Sequence, residues 1–228
     1  MSSRKYIKPS SSSTKPRGSN SATRDIEEGD YELKIQKIRV TVHTTGKFFP
    51  SDTRSGNHAS IYLLTSNNAS VRLNMAKLSA DATMGTYQTI YCSYQDTNSS
   101  LKDFDLKATG RGLTVGHVLG LVEEKNRDKY KLARSGLGCR HWVRTIINDL
   151  HEAGYISSSS PLSTEDALNA LKYNYSKGKN PEREDIDPGT FVSDIPKKVK
   201  KIKKTDTTGT GSESHRSTGS GSEGGRRR

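Results

Sequence analysis

The 228-residue sequence has only two cysteines, Cys92 and Cys139, too few for the disulfide framework on which small secreted domains depend. Nowhere do eighteen apolar residues run together, which excludes a membrane span of ordinary helical length, and the N-terminus lacks a signal-like apolar stretch. An intracellular protein, cytoplasmic or nuclear, is the expectation. No ligand pair has zinc-finger or His-Glu-x-x-His spacing, so no metal and no cofactor is expected. Both ends also have almost nothing apolar: 1–24 is mostly Ser, Thr, Lys, Arg, Gly and Pro, and 205–228 is mostly Gly, Ser, Thr and Arg. Neither can bury enough surface to offset the entropy of ordering its backbone. The chain is therefore expected to divide into a disordered tail at 1–29, a single α+β domain at 30–196, and a basic, Gly/Ser-rich disordered tail at 197–228.

Basic residues exceed acidic ones by twelve, but unevenly: residues 1–30 carry +2, 31–196 carry +3 and 197–228 carry +7. A nucleic-acid surface requires a basic face on the folded part, interleaved with aromatics. Here the excess sits mostly in one tail, at Lys197, Lys198, Lys200, Lys201, Lys203 and Lys204. Such a run suits a nuclear import receptor or an acidic surface, and equally a solvated terminus.

Within the domain, Ile38, Val40 and Val42 alternate with polar residues, predicting a half-buried strand from Leu33 to His43 that ends at Thr44-Thr45-Gly46. A loop over 49–57 leads to a β-rich run, His58 to Leu64. Ser66-Asn67-Asn68 has turn chemistry. Ser70 to Met75 follows, with Val71, Leu73 and Met75 on one face and Arg72 and Asn74 on the other, so these two runs read as a hairpin. Further strands are expected at Tyr87–Tyr94 and 103–107. Thr114 is placed to cap a helix carrying Val115, Val118, Leu119 and Val122. Tyr130 to Leu132 reads as extended. Ser163 and Asp166 have capping-box spacing for a helix to about Tyr175, with Gly178 beyond its end. Strands preceding the main helices give an α+β fold, an antiparallel sheet packed against a few helices.

One segment stands out chemically: Gly136-Leu137-Gly138-Cys139-Arg140-His141-Trp142-Val143. From Cys139 onward, Trp142, Val143, Ile146, Ile147, Leu150 and Ala153 recur at helical spacing, and Gly154 is placed as a left-handed cap. Cys139 thus opens a helix with its sulfur on the inward face. Unpaired N–H groups and the helix dipole favour an anion in the first turn, and there a thiol pKa can fall to about 3.5–7.5. The same local pattern also fits a small core residue beside a glycine turn.

Four strings, His-Thr-Thr-Gly at 43–46, Asn-His-Ala-Ser-Ile-Tyr-Leu at 57–63, Ser-Val-Arg-Leu-Asn-Met at 70–75 and Gly-Cys-Arg-His-Trp at 138–142, resemble those of a fungal domain family of unknown function. A histidine that begins a strand, followed much later by a helix-opening cysteine, is also similar to circularly permuted papain-like proteins of the lecithin:retinol acyltransferase type. Those relatives commonly have a large residue after the histidine, where this chain has Ala59. The second resemblance implies a thiol hydrolase or acyltransferase acting on an acyl or peptide substrate. Cys139 would be the nucleophile and His58 its base. Of Arg72 and Asn74 on the next strand, Asn74 is the candidate to orient the imidazole. His43, His117 and His141 compete for the role of base, but His141 adjoins Cys139 in a helix and should point about 100° away. The alternative is a non-catalytic binding or interaction module located by its basic tail.

Overall fold

The computed structural model describes residues 22–47, 54–79, 81–110, 112–135 and 138–194. Most of both expected tails, the 197–204 lysine run, Gly136 and Leu137 lie outside them.

The strands are β1 (Thr23–Asp25), β2 (Ile35–Lys47), β3 (Ser55–Thr65), β4 (Ser70–Ala76), β5 (Thr86–Cys92) and β6 (Ser100–Lys107). They form one antiparallel sheet in the order β1-β5-β4-β3-β2-β6. Helix α1 (Val115–Glu124), a short strand β7 (Tyr130–Lys131), α2 (Cys139–Glu152) and α3 (Thr164–Ala170) follow. The two-residue strands β8 (Tyr173–Asn174), β9 (Glu182–Arg183) and β10 (Thr190–Phe191) complete the order. The fold is α+β, with the sheet drawn from the first half of the described residues and the three helices from the second.

Strand alternation gives the sheet two unlike faces. Ile38, Val40, Val42, Ile61, Leu63, Val71, Leu73, Met75 and Leu106 turn one way. They form the core with Val118 and Val122 of α1 and with Trp142, Val143, Ile146, Ile147 and Leu150 of α2. Thr41, His43, His58, Ser60, Arg72 and Asn74 turn the other way. That polar face is crossed by the connection from β5 to β6. Its Tyr94 carbonyl accepts from Ser70 at 2.6 Å, Gln95 donates to the Thr65 carbonyl at 3.1 Å, and the Ser99 hydroxyl meets His43 at 2.9 Å. Tyr62, Leu64 and Cys92 are buried beneath it as a second small cluster.

Several boundaries differ from those expected. β2 runs past Thr44-Thr45-Gly46 to Lys47 because the ladder shifts register between Thr44 and Lys47. Gly46, at φ 84°, supplies the left-handed residue at this irregularity. α3 stops at Ala170 rather than near Tyr175. Arg140 takes the carbonyls of Leu171 and Tyr173, and Tyr173–Asn174 pairs with β9 instead. β5 ends at Cys92, where the crossing connection leaves the sheet.

The largest correction is at the start. Residues 22–29, assigned to a disordered tail, carry β1, which pairs with β5. Arg24 grips Asp30 through two guanidinium nitrogens at 2.6 and 2.9 Å and lies 4.0 Å from the Tyr91 ring centroid. These partners are supplied by tertiary structure, so composition does not reveal them. Because Arg24 is partly solvated, Arg24→Ala should cost only about 1 kcal/mol. It should speed amide exchange at 23–25 while β3 stays protected. Unchanged exchange at those amides would show that Arg24 does not hold β1.

Candidate active site

β3 and β4 pair from Leu64 and Ser70 only as far as Ile61 and Leu73. Beyond that point β3 continues to Ser55 on β2 alone, and β4 continues on β5. The N-terminus of α2 meets the sheet at this opening, with the Ala59 backbone N–H near enough to the Cys139 sulfur to favour its thiolate. Cys139 is the first residue of α2 and retains some solvent contact.

The start of the helix is pinned from below. Gly138 has φ 123°, and a Cβ there would lie 3.1 Å from the Tyr130 hydroxyl. That hydroxyl donates to the Gly138 carbonyl at 3.1 Å and accepts from the Gly189 N–H at 2.8 Å. The first helical hydrogen bond runs from the Trp142 N–H to the Gly138 carbonyl at 3.0 Å. Trp142 is wholly buried, its indole N–H donating to the Arg127 carbonyl at 2.7 Å. Arg140, also buried, pairs with Glu184. The sulfur therefore sits on a helix end fixed by Tyr130, Trp142 and Arg140.

On the sheet side, the Cys139 thiol and the His58 imidazole are close enough that each shifts the other's titration. His58 Nε2 donates to Asn74 Oδ1 at 2.5 Å, which leaves Nδ1 for the thiol. Asn74 is 9% exposed, and its orientation is set by neighbours on both sides. Its Oδ1 also accepts from Ser60 at 3.3 Å, and its Nδ2 donates to Gln88 Oε1 at 2.9 Å. Cys139, His58 and Asn74 thus form one chain, extended by Gln88.

The titration of this chain follows from its surroundings. Burial pushes the Cys139 thiol up, but the His58 side chain, the Ala59 N–H and the Arg140 charge outweigh it, so the pKa falls below its ordinary 9.0. Burial pulls His58 down, and its interactions with Cys139 and Asn74 more than offset that, leaving it raised above 6.5. Each shift favours the charged form of its group: thiolate above the lowered thiol pKa, imidazolium below the raised imidazole pKa.

The other histidines are engaged elsewhere. His43, opposite His58 in the ladder, has its ring centroid 6.2 Å away. Burial, then the charges of His58 and Arg72, push its pKa down to about 4, so it stays neutral. Its Nδ1 meets Ser99 at 2.9 Å, and its buried Nε2 has no partner. His117 Nδ1 accepts from the Thr114 backbone N–H at 3.1 Å and meets the Thr114 hydroxyl at 2.9 Å, closing the capping box of α1. His141 Nδ1 meets the Tyr130 hydroxyl at 3.2 Å and stacks on that ring, away from the thiol. Arg72 faces Tyr62 across the β3–β4 ladder. Among the described residues, no group of three His, Cys, Asp or Glu side chains is placed to hold a metal ion.

Sequence reading did not find Gln88, Ser60 or Tyr130. Gln88 becomes relevant only through the pairing of Asn74 with it across β4 and β5, and that register is invisible without knowing which strands neighbour each other. The alternation of Ser60 with Ile61 was the available signal for Ser60.

Comparison with known proteins places this geometry in a family. Residues 38–192 match DUF7770, a domain of unknown function. The chain belongs to that family. The match takes in the whole site, from His43 and His58 through Asn74 and Gln88 to Cys139 and Glu184. No curated protein and no solved structure matches the chain. No helix among the described residues of this DUF7770 protein is long and apolar enough to cross a membrane.

Proposed function

We propose that the protein is a cysteine-dependent hydrolase or acyltransferase in which Cys139 is the nucleophile, His58 the general base and acid, and Asn74 the residue that orients His58. The observation that supports this reading is the His58 imidazole set beside the Cys139 thiol, whose pKa it lowers, with its Nε2 hydrogen-bonded to the buried Asn74. A structural cysteine has no need of an imidazole whose second nitrogen is held by a fixed amide. That arrangement, with the helix-opening cysteine, also supports the likeness to circularly permuted papain-like proteins. The fungal affiliation drawn from the same strings is part of the reading.

In the reaction, the Cys139 thiolate attacks the acyl carbon and a C–S bond forms, giving a tetrahedral oxyanion. First-turn N–H groups of α2, lacking intrahelical partners, are placed to donate to that oxygen. The imidazolium of His58 gives its proton to the leaving atom as the bond between carbon and that atom breaks. Water or another acceptor then attacks the thioester, His58 takes its proton, and the acyl product departs with the C–S bond broken and the thiolate restored. Asn74 holds the ring with Nε2–H outward and Nδ1 toward sulfur through both steps.

The test is intact-mass analysis after exposure to thioester, ester and isopeptide probes. Wild type should gain one acyl group at Cys139, and Cys139→Ala none. Failure of all three probes to acylate folded wild-type protein would favour a non-catalytic binding module. We place the protein inside the cell, cytoplasmic or nuclear, with Lys197–Lys204 as the element read by an import receptor or acidic surface.

A further inference from the structure

Where β2 and β3 end, at Thr44, Lys47 and Ser55, lies a cleft of about 740 Å³, within the size range of small-molecule sites. Its wall carries Lys47 from the end of β2, Arg54 just before β3, Lys102 from β6, and Lys177 and Lys179 from the turn after β8. Among the described residues no carboxylate lines it, and among them none of the four lysines has an ion-pair partner. Lysines brought together from three chain segments around one concavity create a field that draws in an anion.

The cleft is joined to the site by two paths. The Thr44–Asn57 pair, whose Thr44 lines the cleft, is the next rung of the β2–β3 ladder after His43–His58, a step of about 3.4 Å along the strand. Asn57 also holds the segment that forms the far wall, donating to the Tyr175 carbonyl at 2.8 Å and accepting from its N–H at 2.7 Å. The second path starts from Arg140, beside the nucleophile. Its partner Glu184 accepts from Asn174 at 3.4 Å, and Asn174 donates to the Ser55 carbonyl at 3.1 Å at the cleft wall.

We propose that the cleft binds an anionic portion of the acyl substrate, a phosphate or carboxylate group carried close to the scissile bond. This rests on Cys139 being the nucleophile. The lysines contribute attraction and orientation, and the covalent steps are those already given. Charge-free or cationic acyl compounds are poor substrates on this account.

The experiment compares alkylation of Cys139 by iodoacetate, which is anionic, and iodoacetamide, which is neutral, at low ionic strength. Glutathione serves as the reference thiol. Wild type should show an iodoacetate-to-iodoacetamide rate ratio about tenfold above that of glutathione, falling with added salt. The triple variant Lys102→Glu/Lys177→Glu/Lys179→Glu should lose that excess and keep its iodoacetamide rate, which also reports that its fold is intact. In parallel, calorimetry should show inorganic tripolyphosphate binding to wild type and not to the variant. Carboxylate and phosphate preference separate by competition: succinate or tripolyphosphate is added against iodoacetate. A glutathione-like ratio, unaltered in the variant, together with no tripolyphosphate binding, overturns the inference and leaves the nucleophile standing. A thiol inert to both reagents removes the nucleophile, and the inference with it.

Discussion

Replacing His58 by alanine should slow the alkylation of Cys139 by iodoacetamide at pH 6 by about tenfold or more, without unfolding the domain. The thiolate is the reacting species, and His58 contributes the leading interaction that holds the thiol pKa down against burial. Each unit of thiol pKa restored costs tenfold in thiolate at pH 6. The accompanying gain in nucleophilicity returns about half of that on a logarithmic scale. Loss of the imidazole leaves the Ala59 N–H and the Arg140 charge acting on the sulfur, so some activation persists. Cys92 is a poor internal standard because it is 0% exposed and therefore protected by access alone. The useful comparison is between wild type and variant at Cys139, scored by peptide mass after a timed quench. An unchanged rate with intact near-UV circular dichroism would show that His58 does not tune the thiol.

A second large effect is expected from Trp142→Ala, which should lower the unfolding free energy by about 3–5 kcal/mol. Trp142 is 0% exposed, meets Tyr87 with ring centroids 5.8 Å apart and satisfies the Arg127 carbonyl. The variant leaves a cavity and a carbonyl without its donor, and the lost packing lies one turn from the sulfur. Denaturant unfolding should show the loss at an unchanged slope. Cys139 alkylation should also become less dependent on His58 as the helix start loosens. A loss below about 1 kcal/mol would mean that the α2 stripe does not anchor the helix, and the fixed position of the thiol would need another cause.

How far the chain could be read in advance varies with the range of the interactions involved. The alternation of Ile38, Val40 and Val42, and of Val71, Leu73 and Met75, marked β2 and β4 because one face of each strand is buried and the other polar. The stripe from Trp142 to Leu150 marked α2 for the same reason, and Gly154, at φ 72°, ends it as its position suggested. Features held by distant partners were not legible. β1 depends on Tyr91 and Asp30. The crossing segment from Tyr94 to Ser99 looks like polar loop until the strand order shows that it must pass over β4, β3 and β2. The end of α3 is decided by Arg140, thirty-one residues before Leu171.

The site divides along the same line. A helix-opening cysteine just after two glycines was visible locally, and the family resemblance supplied His58. Arg72 and Asn74 could not be told apart from strand alternation, since both lie on one face. The end of the β3–β4 ladder at Ile61–Leu73 separates them. Arg72 lies inside the paired region opposite Tyr62, and Asn74 lies just beyond it, where His58 reaches over.

The central claim is that Cys139 is a thiol activated by its place in the fold. It is tested most directly by the alkylation rate of Cys139 in wild-type protein measured from pH 4 to 10. A thiol whose folded pKa is lowered becomes thiolate at lower pH, so the rate should climb through a midpoint below the ordinary 9.0 of a cysteine thiol. The thiolate should be lost only as pH falls through that lowered value. A midpoint at or above 9.0, with the protein folded throughout, is what burial alone would produce, and it would contradict the assignment of Cys139 as a nucleophile.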